Sequence, residues 1–126
     1  MIGLTRGARS VRPPRADGDE FERAAEALLT QAGLTVVARN WTCRRGEIDL
    51  IMSEGATLVF VEVRKRSGSR FGGAAESIGR QKRERLRAAI SLYLSGLTQE
   101  PMCRVDAVLF EPGKPTQWLK NIVEAT

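Results

Sequence analysis

At 126 residues the chain has the length of one ordinary domain, and its 42% hydrophobic and 28% charged residues lie in the globular range. It carries no histidine, which removes Ser-His-Asp and Cys-His catalysis and every His-ligated metal, so any metal must be held by carboxylates. Two cysteines, Cys43 and Cys103, are too few for a zinc site or a disulfide framework. No apolar run reaches the ~18 residues of a membrane helix, and none follows the first arginines as a secretory signal requires, so a cytoplasmic protein without a membrane partner is expected.

Residues 1–16 hold Arg6, Arg9, Arg12 and Arg15, no acid, the pair Pro13-Pro14 and no periodicity. They read as a disordered basic arm ahead of a single domain over 17–126. A helix is expected from Asp17 or Gly18 to about Ala32, because Phe21, Ala24, Ala25, Leu28, Leu29 and Ala32 recur at three- and four-residue spacing and Gly33 follows. Leu34 to Trp41 reads as a strand and Arg44-Arg45-Gly46 as a turn. Glu47 to Met52 is a second strand, and Glu54-Gly55 a tight connection.

Thr57 to Arg64 is apolar on both faces and should be the central strand of a sheet, with the first three strands forming an antiparallel meander. Residues 65–75 are basic and rich in Gly and Ser, hence a loop. A second helix over 76–95 carries Ile78, Leu86, Ala89, Ile90 and Tyr93 on one face and its bases on the other, with Gly96 closing it. Met102 to Phe110 is a fourth strand, reached by a crossover long enough to make it parallel to an earlier one. A turn at Pro112-Gly113-Lys114-Pro115 leads to a last strand over 117–123. The order is αβββαββ: an α/β domain with a mixed central sheet flanked by helices.

The net charge of +5 is unevenly spread. Between Arg64 and Arg87 nine bases face only Glu76 and Glu84, so a basic stripe crosses an otherwise acidic body. Such a stripe fits a polyanion backbone, with a merely solvated helix face as the alternative. Three acids stand where burial should discourage them. Glu62 lies inside the most apolar strand, on one face with Leu58, Phe60 and Arg64. Asp49 interrupts Ile48-Asp49-Leu50-Ile51, and Glu22 lies only about 20° around its helix from Leu29. Buried carboxylates side by side need a shared compensator. Mg²⁺ is one, since it takes a few carboxylate oxygens and keeps waters for substrate phosphates; an ion pair between Glu62 and Arg64 is the other. Asp106 is expected to pair with Arg104 or with a base on a neighbouring strand. Glu47 shares a face with Asp49 but sits at a strand end where exposure is cheap. Trp41 and Trp118 are expected as core or rim aromatics.

Gly18-x-x-x-Glu22-x-x-Ala25, Gly46-Glu47-Ile48-Asp49-Leu50-Ile51 and Val59-Phe60-Val61-Glu62-Val63-Arg64-x-Arg66 closely resemble the YraN family of small bacterial proteins. Phe71-Gly72, Lys82, Cys103-Arg104-Val105-Asp106 and Trp118-Leu119-Lys120 extend the resemblance over residues 18–125. That family resembles compact restriction-endonuclease-like proteins, the PD-(D/E)XK nucleases. The resemblance implies a restriction-endonuclease-like domain in which Asp49 and Glu62 bind metal. Glu22 then corresponds to a helix-borne acid that archaeal Holliday-junction resolvases also carry, and Arg64 stands where the superfamily usually has a lysine.

The leading expectation is therefore a Mg²⁺- or Mn²⁺-dependent nuclease acting on DNA, branched and damaged DNA included. Glu22, Asp49, Glu62 and Arg64 would be catalytic, the first three as metal ligands. Arg44, Arg45, Lys65, Arg66, Arg70, Lys82 and Arg83 would contact nucleic acid. A second copy of the chain is a further candidate partner. The alternatives are a non-catalytic nucleic-acid-binding module of the same fold and a protein-interaction adaptor.

Overall fold

The apolar runs all become strands, and the two amphipathic segments become the helices that cover them. A computed structural model describes residues 16–66 and 79–122. Its elements are α1 (Ala16–Gln31), β1 (Thr35–Cys43), β2 (Gly46–Glu54), β3 (Thr57–Lys65), α2 (Arg80–Ser95), β4 (Met102–Phe110) and β5 (Gln117–Leu119). The sheet runs β1-β2-β3-β4-β5, with β3 central. β1, β2 and β3 form the antiparallel meander, and the crossover through α2 brings β4 in parallel to β3. β5 returns antiparallel along β4. Residues 1–15 of the expected arm and 67–75 of the expected basic loop, with Arg70, lie outside the described residues, whereas Ala16 already belongs to α1 and Lys65, expected to open the loop, is the last residue of β3.

Alternation along β3 divides the core into two layers. Phe60 turns towards α2, where Leu86, Ala89, Ile90 and Tyr93 pack with Trp41, Ile48 and Ile51. Val59 and Val61 turn the other way, where Ala25 and Leu29 of α1 pack with Leu50, Met52 and Val108. The Tyr93 ring meets Trp41 edge-on at 5.3 Å and Phe60 at 5.8 Å. Trp41 is a core residue, 4% exposed. Among the described residues, no helix is long and apolar enough to cross a membrane.

Strand ends differ from the sequence reading by one or two residues in β1, β2 and β3, and three differences are larger. The buried stripe of α1 is narrower than expected: Ala25 and Leu29 are buried, but Ala24, Leu28 and Ala32 are exposed because the helix meets the sheet along one line. α2 begins at Arg80 because Gly79 before it is extended (φ −80°, ψ 177°), whereas periodicity carried the helix back to 76; residues 76–78 lie outside the described residues. β5 has three residues and not seven. Beyond Leu119 the chain leaves the ladder through Asn121, whose φ of 55° is left-handed, and its backbone N–H turns instead to the Asp106 carboxylate at 2.9 Å.

Asp106 is fully buried, and Arg104 grips it as one of the two expected partners. Arg104 Nε lies 3.0 Å from Asp106 Oδ1, Trp118 Nε1 donates to Asp106 Oδ2 at 3.0 Å, and Arg104 also bonds Glu54 at 2.6 Å. This cluster ties β5 and the turn after it to the body of the sheet.

Gly46, at the tip of the β1–β2 hairpin, sits against α2: a Cβ there would lie 3.1 Å from the Arg85 carbonyl oxygen. Helix backbone cannot yield as a flexible side chain does. Gly46→Val is therefore expected to cost about 1–3 kcal/mol by overpacking, read as a lower denaturation midpoint at unchanged m-value.

Candidate functional site

The site forms where β2 and β3 part. Their pairing runs from Glu54↔Thr57 to Leu50↔Val61 and stops there, although β2 reaches back to Gly46 and β3 on to Lys65. Past that point Val63 N–H donates to Asp49 Oδ2 at 2.8 Å, so a side chain takes the place of the partner strand's carbonyl. On the other edge of β2 the register is the same on either side of Asn40, Arg39↔Leu50 and Trp41↔Ile48, although Asn40 itself has a left-handed φ of 48°. Ile48 packs on the α2 side and Leu50 on the α1 side, a break in strict alternation centred on Asp49. The splayed sheet leaves Asp49 open to groups from both faces.

From the α1 face comes Glu22, 8% exposed. Carboxylate oxygens of Glu22, Glu47 and Asp49 lie within 4.8 Å of one another. From the α2 face comes Glu62, 2% exposed, whose Oε2 is met by Lys82 Nζ at 3.0 Å and by Arg64 Nη1 at 3.6 Å. All four acids line one cavity of about 880 Å³, together with Arg44, Arg45, Arg64, Lys65, Lys82 and Arg85. The acids are buried or half-buried, while Arg44, Arg45, Lys65 and Arg85 lie further out: anionic within, cationic around the opening.

Electrostatics follow from that layering. Burial pushes Asp49 well above the usual carboxylate range, and the charges of Glu62, Glu22 and Glu47 push it further against the single lowering hydrogen bond from Val63. Burial also raises Glu62, but Lys82 and Arg64 pull it back. The protein thus compensates the charge of Asp49 less than that of Glu62. The Glu22, Glu47 and Asp49 set offers only hard oxygen donors, which suits Mg²⁺ or Mn²⁺ and not a thiophilic metal.

The fold brings Glu22, Asp49, Glu62, Arg64, Arg44, Arg45, Lys65 and Lys82 into this cavity. Arg66 and Arg83 are not among its lining residues, and Arg70 is outside the described residues. Lys65 reaches the α1 side, as its parity opposite Arg64 requires, with Nζ 5.3 Å from the Phe21 ring centroid. Two features escaped the sequence reading. Glu47 joins the carboxylate cluster although its strand-end position suggested cheap exposure; its shared parity with Asp49 was the available signal. Lys82, expected on phosphate, reaches Glu62.

The family described as uncharacterised protein family UPF0102 matches residues 21–110. A UPF0102 protein from Neisseria gonorrhoeae (strain NCCP11945) is 49% identical over 114 residues, covering 89% of this chain and 98% of that one. One from Janthinobacterium sp. (strain Marseille) is 48% identical over 108 residues, covering 86% and 87%. Among solved structures, Archaeoglobus fulgidus Hjc, a Holliday junction resolvase, superposes with a TM-score of 0.53 at 18% identity, covering 80% of this chain and 73% of that one. At that identity the likeness is one of fold: the mixed sheet and its helices are of the restriction-endonuclease-like kind.

Proposed function

This chain belongs to the uncharacterised protein family UPF0102, also called YraN, and we propose that it is a Mg²⁺- or Mn²⁺-dependent nuclease that hydrolyses phosphodiesters in DNA. The observation that carries this reading is the meeting of Glu22 from α1, Glu47 and Asp49 from β2, and Glu62 from β3 in one cavity ringed by bases. Where the β2–β3 ladder ends, the charges of Glu62, Glu22 and Glu47 all act against ionisation of Asp49, an opposition that a bound divalent cation would relieve. The fold shared with a Holliday junction resolvase supports the same class of chemistry and makes branched DNA the first substrate to try.

Glu22, Glu47 and Asp49 would hold the divalent ion, with Glu62 completing the set from the opposite face. The ion supplies Lewis-acid polarisation of the phosphodiester and a more acidic water. Asp49 is positioned by its Val63 hydrogen bond, so one oxygen is anchored while the carboxylate faces the cavity. Arg64 would stabilise charge developing on the phosphate, the role a planar guanidinium suits, rather than serve as a base. Arg44 and Arg45 at the hairpin turn and Lys65 at the end of β3 would hold the flanking backbone.

The reading is tested by incubating duplex, flap and four-way-junction DNA with the protein in Mg²⁺ or Mn²⁺ and in EDTA. Cutting that depends on the metal is expected. Binding without cutting on every substrate would establish the second reading, a non-catalytic nucleic-acid module, which the closure of Glu62 by Lys82 and Arg64 favours. In either case affinity should fall steeply with salt. Arg44→Ala with Arg45→Ala should reduce the magnitude of the logarithmic salt slope by about 2, since each phosphate left without its cation subtracts about 0.9. An unchanged slope would mean that the backbone is gripped elsewhere.

A further inference from the structure

Glu62 and Asp49 face the same cavity, yet their charges are handled differently. Glu62 stands outside the mutual 4.8 Å grouping of Glu22, Glu47 and Asp49. Its Oε2 is instead met by Lys82 Nζ at 3.0 Å. The Lys82 side chain is 36% exposed while that of Glu62 is 2% exposed, so the ammonium reaches from the open cavity onto a buried carboxylate.

Lys82 is not placed there to serve its own helix. It lies in the first turn of α2 with Arg80 and Arg83, a turn that has no acid and no side-chain cap from Gly79. Cations at a helix N-terminus oppose the macrodipole. What the position does provide is reach: a compact ammonium on a flexible four-carbon stem, entering from an element other than the strand that carries Glu62. Arg64, by contrast, sits on β3 itself, two residues from Glu62, and holds a longer contact of 3.6 Å.

Resting on the nuclease reading, we infer that Lys82 is an exchangeable counter-ion: it neutralises Glu62 until a divalent cation takes that carboxylate, and then turns its ammonium to a non-bridging oxygen of the phosphate being cut. Uncovering a buried carboxylate is costly, and replacing one cation by another lets Glu62 stay charge-balanced through the exchange. The displaced ammonium remains in the cavity beside the phosphate, where positive charge stabilises the transition state. The acids thereby stay organised without metal, and the phosphate-binding charge is released only when metal is bound.

Two measurements test this on the intact protein. The first is the reactivity of Lys82 with an amine-reactive succinimidyl ester at fixed pH, mapped by peptide mass spectrometry with and without Mn²⁺. Lys82 should become several-fold more reactive when Mn²⁺ is bound, while exposed Lys114 stays constant. The second compares Lys82→Gln with Arg85→Gln, which removes a charge lining the same cavity. Lys82→Gln should tighten Mn²⁺ binding about tenfold more than Arg85→Gln, by removing direct competition rather than general repulsion. It should also slow cleavage about a hundredfold with little change in KM for DNA.

Opposite signs for metal affinity and rate are the signature. A residue that merely props Glu62 would lower both when replaced, and one that only grips DNA would raise KM and leave Mn²⁺ binding alone; either outcome overturns the proposal. So does unchanged Lys82 reactivity in a protein that binds Mn²⁺, a result readable even if Lys82→Gln does not fold. A wild-type chain that binds no Mn²⁺ and cuts no substrate overturns the nuclease reading itself, and this inference with it.

Discussion

Replacing Asp49 by asparagine is expected to abolish metal-dependent cutting and at the same time to make the metal-free protein more stable at alkaline pH. The loss of activity follows from removing the acid that lies between Glu22 and Glu47 on one side and Glu62 on the other, and should reach about a thousandfold, or about 4 kcal/mol of barrier. The gain in stability follows from linkage. The folded-state pKa of Asp49 is raised above its unfolded value, by burial first and then by its acidic neighbours. The folded state therefore holds the proton more tightly than the unfolded one, and stability falls as pH rises from the ordinary aspartate range through the raised value.

Glu62, also raised, pulls in the same direction. Asparagine keeps an acceptor for the Val63 N–H and has no such slope at that position. In metal-free buffer the Tm of the wild type should decline as pH rises towards 8, and Asp49→Asn should flatten much of that decline. Mg²⁺ at a hundred times its dissociation constant should return about 2.7 kcal/mol to the wild type and little to the variant. Equal stabilisation of both proteins by Mg²⁺ would remove Asp49 from the metal site.

The second large effect lies away from the cavity. Arg104→Ala should destabilise the fold by about 3–5 kcal/mol, because among the described residues it leaves the fully buried Asp106 carboxylate with two neutral donors, Trp118 Nε1 and the Asn121 N–H. It also frees Glu54, which matters less because that side chain is 42% exposed. Neither Arg104 nor Asp106 lines the cavity, so cleavage per folded molecule should be unchanged at a temperature where the variant remains folded. Urea denaturation measures the first and a rate normalised to folded protein the second. A destabilisation under about 1 kcal/mol would mean that the two neutral donors suffice for Asp106. Reduced cleavage by fully folded protein would mean that the β4–β5 side of the sheet shapes the site.

Periodicity and turn residues were enough to determine the order of elements and the central place of β3, and the length of the crossover was enough for the parallel return of β4. Apolar spacing is a local property, and a strand apolar on both faces has to lie between two covering layers. The three acids Glu22, Asp49 and Glu62 were legible for the same reason, since each stands at a position that the pattern assigns to the core or its border.

What sequence could not determine is how those charges are shared. Glu47 is half-buried and within reach of Glu22 only because α1 crosses the end of β2, a matter of how a helix docks and not of strand parity. Strict alternation also misses the break at Asp49, where the β2–β3 ladder ends and the neighbouring strand carries the left-handed Asn40. The partner of Glu62 was sought at Arg64, two residues along the same strand; Lys82 makes the shorter contact because of where the first turn of α2 lands against β3. Periodicity says which face a residue points to. Which charge meets it there depends on distances between elements far apart in the chain, and only packing sets those.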